Sequence, residues 1–435
     1  MINKDDRKII NQDKEEWIGE RPFHWGKSPL KKFVDFEKGK DSAKYTKEYM
    51  YEFRGEYPVY SGQTANQGVM GYLKSYDYNI DECLFTTTVG AKAMTISYLK
   101  GKFSLSQNCL IMTKKSNIIS LKFIYYFLIP LFNYEKALIP SHMQPSLRIS
   151  DLKSYSILEP PLKEQNFIVK FLDTKTSEID ALISDKEKLI ALLEEKRQAI
   201  ITEAVTKGLD PGVKMKDSGV EWIGEIPEHW EVEKYKNLIQ RVKRPPKLHA
   251  EIITAFRDGI VTLRKNRRED GYTFAIKEHG YQQIKEGDLV VHQMDSFAGA
   301  IGISDSEGKA SPVYTVCTPL DKNIHTPYLS WSLKVMSMGG YIQALAKGIR
   351  ERSTDFRWND MKGLLTCLPP YKEQVEIERY IETFIKENTD LITKSKDAIK
   401  LLKEYRQALI YEAVTGKIDV QEMLKETDQE EVSSS

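Results

Sequence analysis

Three loop-like stretches gather side chains whose planar, polar ends suit the edges of nucleic-acid bases. YPVYSGQTANQG at 57–68 offers Gln63, Asn66 and Gln67, SHMQPSLR at 141–148 offers His142, Gln144 and Arg148, and AKGIRERSTDFR at 346–357 offers Lys347, Arg350, Arg352 and Arg357. Gln and Asn amides can bridge adenine with two hydrogen bonds, and an arginine fork can bridge guanine. Gln107 in SLSQNC and His292 in VVHQMD are polar candidates of the same kind. Two basic stretches could hold phosphates. From 241 to 268 nine Lys/Arg, among them Lys243, Arg244, Arg264, Lys265, Arg267 and Arg268, face only Glu251 and Asp258, a net of +7. From 92 to 158 nine more, beginning at Lys92, face Glu135 and Asp151, again +7. A solvated surface is the competing reading for any one of these residues, so the sets carry the argument.

Catalytic patterns do not emerge. SEGKAS at 306–311 resembles the end of a phosphate-binding loop, but Ile303 stands where its first glycine belongs and Ala310 where Ser or Thr is needed. LPPY at 368–371 resembles the Asn-Pro-Pro-Tyr motif of amino-group DNA methyltransferases, yet Leu368 cannot hydrogen-bond a target amine. No GxGxxG follows a strand and no GxSxG occurs. The seven histidines lack HxxxH or HExxH spacing and the four cysteines lack a CxxC pair. No metal or cofactor is therefore expected, and the cysteines read as buried small residues in a reducing cytoplasm. The apolar run FIYYFLIPLF at 123–132 is too short to span a membrane, and MINKDDRKII has no signal-peptide core. A total of 64 basic and 63 acidic side chains excludes a polycation but not a local binding surface.

The elements that must position these loops come in duplicate. Residues 160–206 align without a gap on 369–415, with 22 identities in 47 positions. LRISDLK at 147–153 meets FRWNDMK at 356–362, and EWIGERPFHW at 16–25 meets EWIGEIPEHW at 221–230. The chain thus reads as globular region, long helix, globular region, long helix. In the first helix the predicted seam is Ile168, Leu172, Ile179, Leu182, Leu189, Leu193 and Ile200. In the second it is Ile377, Ile381, Phe384, Leu391, Ala398, Leu402, Tyr405 and Leu409. Both follow a 3–4 alternation suited to a coiled coil. The double prolines at 160–161 and 369–370 predict helix starts, and Gly208 and Gly416 predict stops. Connectivity makes the pair antiparallel, related by an approximate two-fold axis. A helix of 44 residues would be about 66 Å long. Strand-like runs include 57–60, 83–86, 109–112, 288–291 and 313–316, and helices are expected from Ser120 and Thr326. The class is α/β (α+β), with no sheet topology derived.

These residues, with GKFSLSQNCLIM, GDLVVHQMDSFAGAIG, SPVYTV, TDFRWNDMK, the PPxKEQ helix starts and the two RQAxIxEAVT endings, resemble the specificity subunit of type I restriction–modification systems. One departure is the first motif copy, with Phe23 where the second has Glu228. The resemblance implies target-recognition domains at 1–159 and 209–368, conserved spacer helices at 160–208 and 369–416, and an acidic tail at 417–435. It implies a non-catalytic subunit that reads a split, asymmetric double-stranded DNA target. Its partners would be methyltransferase (modification) subunits and ATP-driven restriction subunits. Half-sites on one face would lie about 35 Å apart, one helical turn. The alternatives are a stand-alone methyltransferase or nuclease, discriminated by S-adenosylmethionine binding, and a coiled-coil scaffold.

Overall fold

In each half of the chain two prolines close a strand and open a helix. The first helical hydrogen bonds follow at once, Gln165 N–H to Pro161 O (3.0 Å) and Gln374 N–H to Pro370 O (3.1 Å), because the first turn has no use for the N–H that proline lacks. The two helices run Leu162–Lys207 and Tyr371–Thr415, 46 and 45 residues, each about 68 Å long at 1.5 Å per residue. Each stops at a glycine in the left-handed region, Gly208 at φ 78° and Gly416 at φ 74°, a conformation that costs other residues strain. The computed structural model describes residues 17–40, 42–63, 66–90, 92–267, 279–345 and 355–423.

The chain divides into two compact units, one built from residues up to Asp185 and from Asp397 onward, the other from 186–396. Each boundary falls inside a long helix. The first unit contains β1 (Gly26–Pro29), β2 (Val34–Lys38), α1 (Lys47–Glu52), β3 (Arg54–Tyr60), β4 (Val69–Leu73), β5 (Tyr78–Thr87), β6 (Ser97–Leu105), β7 (Cys109–Lys114), α2 (Leu121–Ala137), α3 (Ile149–Ser154), β8 (Ser156–Glu159) and the first half of α4 (Leu162–Lys207). The second contains β9 (Met215–Asp217), β10 (Glu225–Pro227), β11 (Glu231–Lys234), α5 (Tyr235–Leu238), β12 (Ile239–Arg241), β13 (Ile253–Ala255), β14 (Val261–Leu263), β15 (Gln282–Ile284), β16 (Leu289–His292), β17 (Ile301–Ile303), β18 (Gly308–Ala310) and β19 (Tyr314–Pro319). It continues with α6 (Thr326–Met338), α7 (Tyr341–Leu345), α8 (Trp358–Met361), β20 (Leu365–Leu368) and the first half of α9 (Tyr371–Thr415).

The duplication is visible in the sheets. The first unit orders its strands β2-β7-β5-β6-β3-β4, and the second orders β12-β19-β16-β17. The first four strands of the larger sheet correspond one by one to the smaller. The hairpin β3–β4 joins the larger sheet through a parallel pairing of Val59–Tyr60 with Ser104–Leu105. Its counterpart β13–β14 stays a separate two-stranded ribbon. The β1–β8 pair recurs as β11–β20. The uncharged run at 123–132 is α2, capped by the Ser120 hydroxyl accepting Phe123 N–H at 3.4 Å. It buries Phe123, Ile124, Phe127 and Leu128 completely, at about 1.5–3 kcal/mol each. His325 precedes α6, and Pro327 stands in its first turn.

Within each unit the halves of α4 and α9 run antiparallel. In the first, Glu164 and Gly416 meet at Trp25, while Asp180 meets Arg406 at 3.0 Å. In the second, Leu193 O accepts Asn388 Nδ2–H at 3.2 Å, while Val205 O and Cys367 O share the Tyr328 hydroxyl.

The seam departs from the one predicted. Ile168, Leu172, Ile179, Ile377, Ile381 and Leu409 are buried, and Leu193, Ile200 and Leu402 half-buried. Leu182, Leu189, Leu391 and Tyr405 are 51%, 41%, 51% and 55% exposed, and Phe384 and Ala398 are only half-buried. Beyond Ile179 and Ile381 every second seam position sits one residue further on, at Ile183, Ile190 and Arg197, and at Ile385, Ile392, Ile399 and Arg406. Adjacent Leu–Ile pairs satisfy a 3–4 spacing equally, so apolarity alone cannot choose between them. In the first unit the Tyr126 hydroxyl, 2.9 Å from Asp173 and 3.3 Å from Thr176, fixes the rotation of α4 and turns Ile183 inward.

Candidate nucleic-acid interface

Two clamps, each present twice, fix the globular part of a unit to its helix start. Gln165 Oε1 accepts Ser120 N–H at 2.7 Å while its amide donates to Ile118 O and Pro160 O. Gln374 repeats this with His325 N–H at 2.8 Å, Asn323 O and Pro369 O. Glu164 binds Trp25 Nε1–H (2.8 Å) and His24 Nε2 (2.9 Å), and Glu373 binds Trp230 Nε1–H and His229 Nε2, both at 2.9 Å. Buried polar groups that all find partners rigidify what they join.

At one end of the larger sheet four loops converge. Thr88, just past β5, donates its N–H to Asn108 O (2.8 Å) and accepts Leu147 N–H (2.7 Å). That pins the segments 106–108 and 141–148 on either side of it. Gly62 lies against Thr87 and Val89 O, each 3.7 Å from where a Cβ would stand, and Gly68 against Lys92 Nζ at 3.6 Å. Gln144 Nε2 lies 4.0 Å from the corresponding point on Gly90. This edge therefore brings together Gln63, Gln67, Lys92, Gln107 and Gln144. Asn66 and Gln67 both adopt positive φ, 49° and 54°, and both are exposed. The Gln63 amide donates to Val69 O, so it braces the loop.

The second unit builds the same edge. Gln293, just past β16, donates its N–H to Val313 O (2.9 Å) and accepts Phe356 N–H (3.1 Å). Arg357 then starts α8 as Arg148 starts α3. The turn after β13 packs on the loop after β16, where Gly299 leaves only 2.6 Å between the place of a Cβ and Arg257 O.

The free charge of the stretch 241–268 is lower than the sequence count implies. Arg244 binds Asp288, Lys247 binds Glu307, Arg257 binds Asp295, Lys265 binds Glu251 and Arg267 binds Asp258, at 2.5–2.7 Å. Three of those carboxylates come from distant parts of the chain, so a count over 241–268 misses them. Arg244 sits at the opposite end of β16 from His292. Arg264 Nε donates to Thr254 Oγ1 at 3.1 Å. The exposed pairs among these contribute about 0–1 kcal/mol each, whereas Asp288 is buried. His292 is half-buried, its Nδ1 accepting Asp295 N–H at 3.0 Å. Burial foremost, then Arg257, lowers its pKa against the pull of Asp295.

His142, Arg148 and Lys243 are exposed. Arg268, Lys347, Arg350 and Arg352 lie outside the described residues. The sequence offers Arg257 only as one charge of the basic stretch, and it does not single out Gln293 and Asp295. Aligning Thr88 with Gln293 through the repeat would have found the last two. All four cysteines are buried, and burial foremost raises their thiols, Cys83 and Cys317 to about 12 and Cys109 and Cys367 to about 11. Burial of this kind disfavours the thiolate form at neutral pH. Among the described residues no cluster of His, Cys, Asp and Glu could hold a metal ion, and no helix is long and apolar enough to cross a membrane.

Residues 22–192 match the type I restriction modification DNA specificity domain. The putative type I specificity subunit S.MpnORF285P of Mycoplasma pneumoniae is 36% identical over 129 residues, 28% of this chain and 40% of that protein. The type I restriction enzyme MjaVIII specificity subunit of Methanocaldococcus jannaschii is 28% identical over 222 residues, half of each chain. A putative MjaX specificity subunit of the same organism is 22% identical across 93% of this chain and 96% of its own. The chain thus spans half or less of the length of the first relatives it matches, 44%, 40% and 50%. A solved structure described as the basis of complex assembly and conformational transition of the type I R-M system shares the fold. Its TM-score is 0.65 at 13% identity, over 92% of this chain and 99% of that one.

Proposed function

We propose that this chain, a member of the type I restriction–modification specificity-subunit family, reads a bipartite, non-palindromic DNA target and brings modification and restriction subunits to it. One observation carries the proposal: the same four-strand order ends twice in the same pinned loop edge, with different side chains on each. Thr88 becomes Gln293, Lys92 becomes Phe297 and Gln107 becomes Pro312. A conserved frame with divergent tips is what two half-sites of unlike sequence require.

In this reading residues 1–159 and 209–368 are the target-recognition domains, 160–208 and 369–416 the spacers, and the chain works in the cytoplasm. It contributes no catalytic group, since methyl transfer and cleavage belong to the partner subunits. The helices support docking of those partners. Leu182 and Leu391, and Leu192 and Leu401, are the same residue in both copies and are 51–64% exposed, an apolar outer face that a solvated helix does not need.

Methylated bases mapped in a host with and without this gene, partner genes intact, test the proposal. A gapped asymmetric motif lost on deletion is the expected result, and the absence of any such motif overturns it. Removing one heptad from both helices should alter the gap and leave each half-site unchanged, whereas a scaffold would show no DNA phenotype.

A further inference from the structure

We propose that Arg257 reads a guanine in the half-site served by the second unit, held in place by Asp295. The inference rests on the DNA-reading function above. Arg257 stands on the turn between β13 and β14, the counterpart of the 61–68 loop, closed by Phe256 N–H to Ile260 O (2.8 Å) and Gly259 N–H to Phe256 O (2.9 Å). Its side chain is 64% exposed, yet it is held on two sides. Nη2 donates to Asp295 Oδ1 at 2.7 Å, and the guanidinium lies 5.9 Å from the centre of the Phe297 ring.

Asp295 is itself positioned. Its backbone N–H donates to His292 Nδ1 at 3.0 Å, and the His292 ring stands edge-on to Tyr314 at 4.7 Å. Accepting that N–H requires a neutral imidazole with its proton on Nε2. Tyr314, His292, Asp295 and Arg257 thus form one chain of contacts from the buried sheet to the solvent.

The carboxylate decides what the arginine can bind. A phosphate brought to Arg257 would face the negative charge of Asp295, whereas a guanine edge is neutral and offers two acceptors, O6 and N7. The guanidinium has five N–H groups and Asp295 uses one, leaving a pair free for a two-pronged contact. Exposed Lys243 has no carboxylate partner among the described residues and suits the phosphates. Pre-orientation by a carboxylate lowers the entropy lost on contact, which makes the position selective.

The test maps methylation motifs made by the full chain with its modification subunits, comparing the parent with Arg257→Gln, Arg257→Lys and Asp295→Asn. The parent motif should hold a G·C pair in one half. Arg257→Gln should relax that single position, discrimination for guanine falling about 5- to 150-fold, with the gap and the other half unchanged as an internal control of folding. Asp295→Asn should relax the same position more weakly. A motif unaltered in Arg257→Gln, or a uniform drop in methylation without relaxation, overturns the inference and leaves the DNA-reading function standing. A parent with no gapped motif overturns that function instead. Should Arg257→Gln give no methylation, Asp295→Asn decides: relaxation at one guanine supports the assignment, and an unchanged motif overturns it.

Discussion

Glu164 accepts the indole N–H of Trp25 at 2.8 Å across 139 residues of chain, and Glu373 does the same for Trp230 at 2.9 Å. Each carboxylate stands in the first turn of a long helix, where the helix dipole favours a negative charge. The tryptophan it holds packs against the glycine that ends the other helix: Trp25 lies 2.9 Å from where a Gly416 Cβ would be, and Trp230 3.1 Å from that of Gly208.

Glu373→Ala should cost about 1–3 kcal/mol, because it leaves the Trp230 indole N–H buried without an acceptor. Glu373→Gln keeps an acceptor oxygen and should cost about half as much. Urea unfolding measures both. Equal losses would mean that the bond contributes nothing beyond packing.

Ile183→Ala should destabilise by about 2–4 kcal/mol as a buried seam position. Leu182→Ala should stay within about 0.5 kcal/mol. The reverse order would place the seam back on the leucine. On the proposed docking role, Leu182→Ser with Leu391→Ser should leave the melting temperature of the isolated chain in place and weaken capture of modification subunits in a pull-down.

Lys334 lies 3.9 Å from the centre of the Trp331 ring, and burial lowers its pKa from 10.5 to about 8, against the pull of Glu382 and Asp258 and with help from Arg197. Between those values the unfolded chain holds the proton that the folded chain has lost, so parent stability rises as pH climbs from 8 to 10.5. At pH 7 both states are protonated and the full penalty applies. Lys334→Met should therefore raise stability at pH 7 by about 1–3 kcal/mol, an advantage that closes by pH 10.5. Melting curves at the two pH values decide, and a gain independent of pH would rule out titration as its source.

The four buried thiols should resist a thiol reagent such as dithionitrobenzoate in the native chain and all react in urea. Rapid native labelling of even one would contradict its burial.

The helices, their ends and the duplication were legible in the sequence because proline, glycine and identity are local signals. The seam register was not, because Leu182 and Ile183, or Leu391 and Ile392, are equally apolar neighbours, and in the first unit the orientation of α4 depends on Tyr126 from another helix. The converging loops were found as separate pieces. That they meet depends on Thr88 and Gln293, whose backbone atoms, not their side-chain types, make the joining bonds. The strength of the basic stretch at 241–268 was overstated, since Asp288, Asp295 and Glu307 reach it only in the fold.

The boundaries at 185/186 and 396/397 have a consequence for synthesis on the ribosome. The second unit is drawn from one unbroken stretch of chain and can close while translation continues. The first pairs all its strands within residues 26–159, but the contact of Gly416 with Pro22 and Trp25, and the partner of the first half of α4, wait for residues after Asp397. Pairings so distant in sequence are the slowest to form. Nascent first units therefore spend the longest time exposed, and a stop codon near residue 396 would damage the N-terminal unit and spare the one made after it.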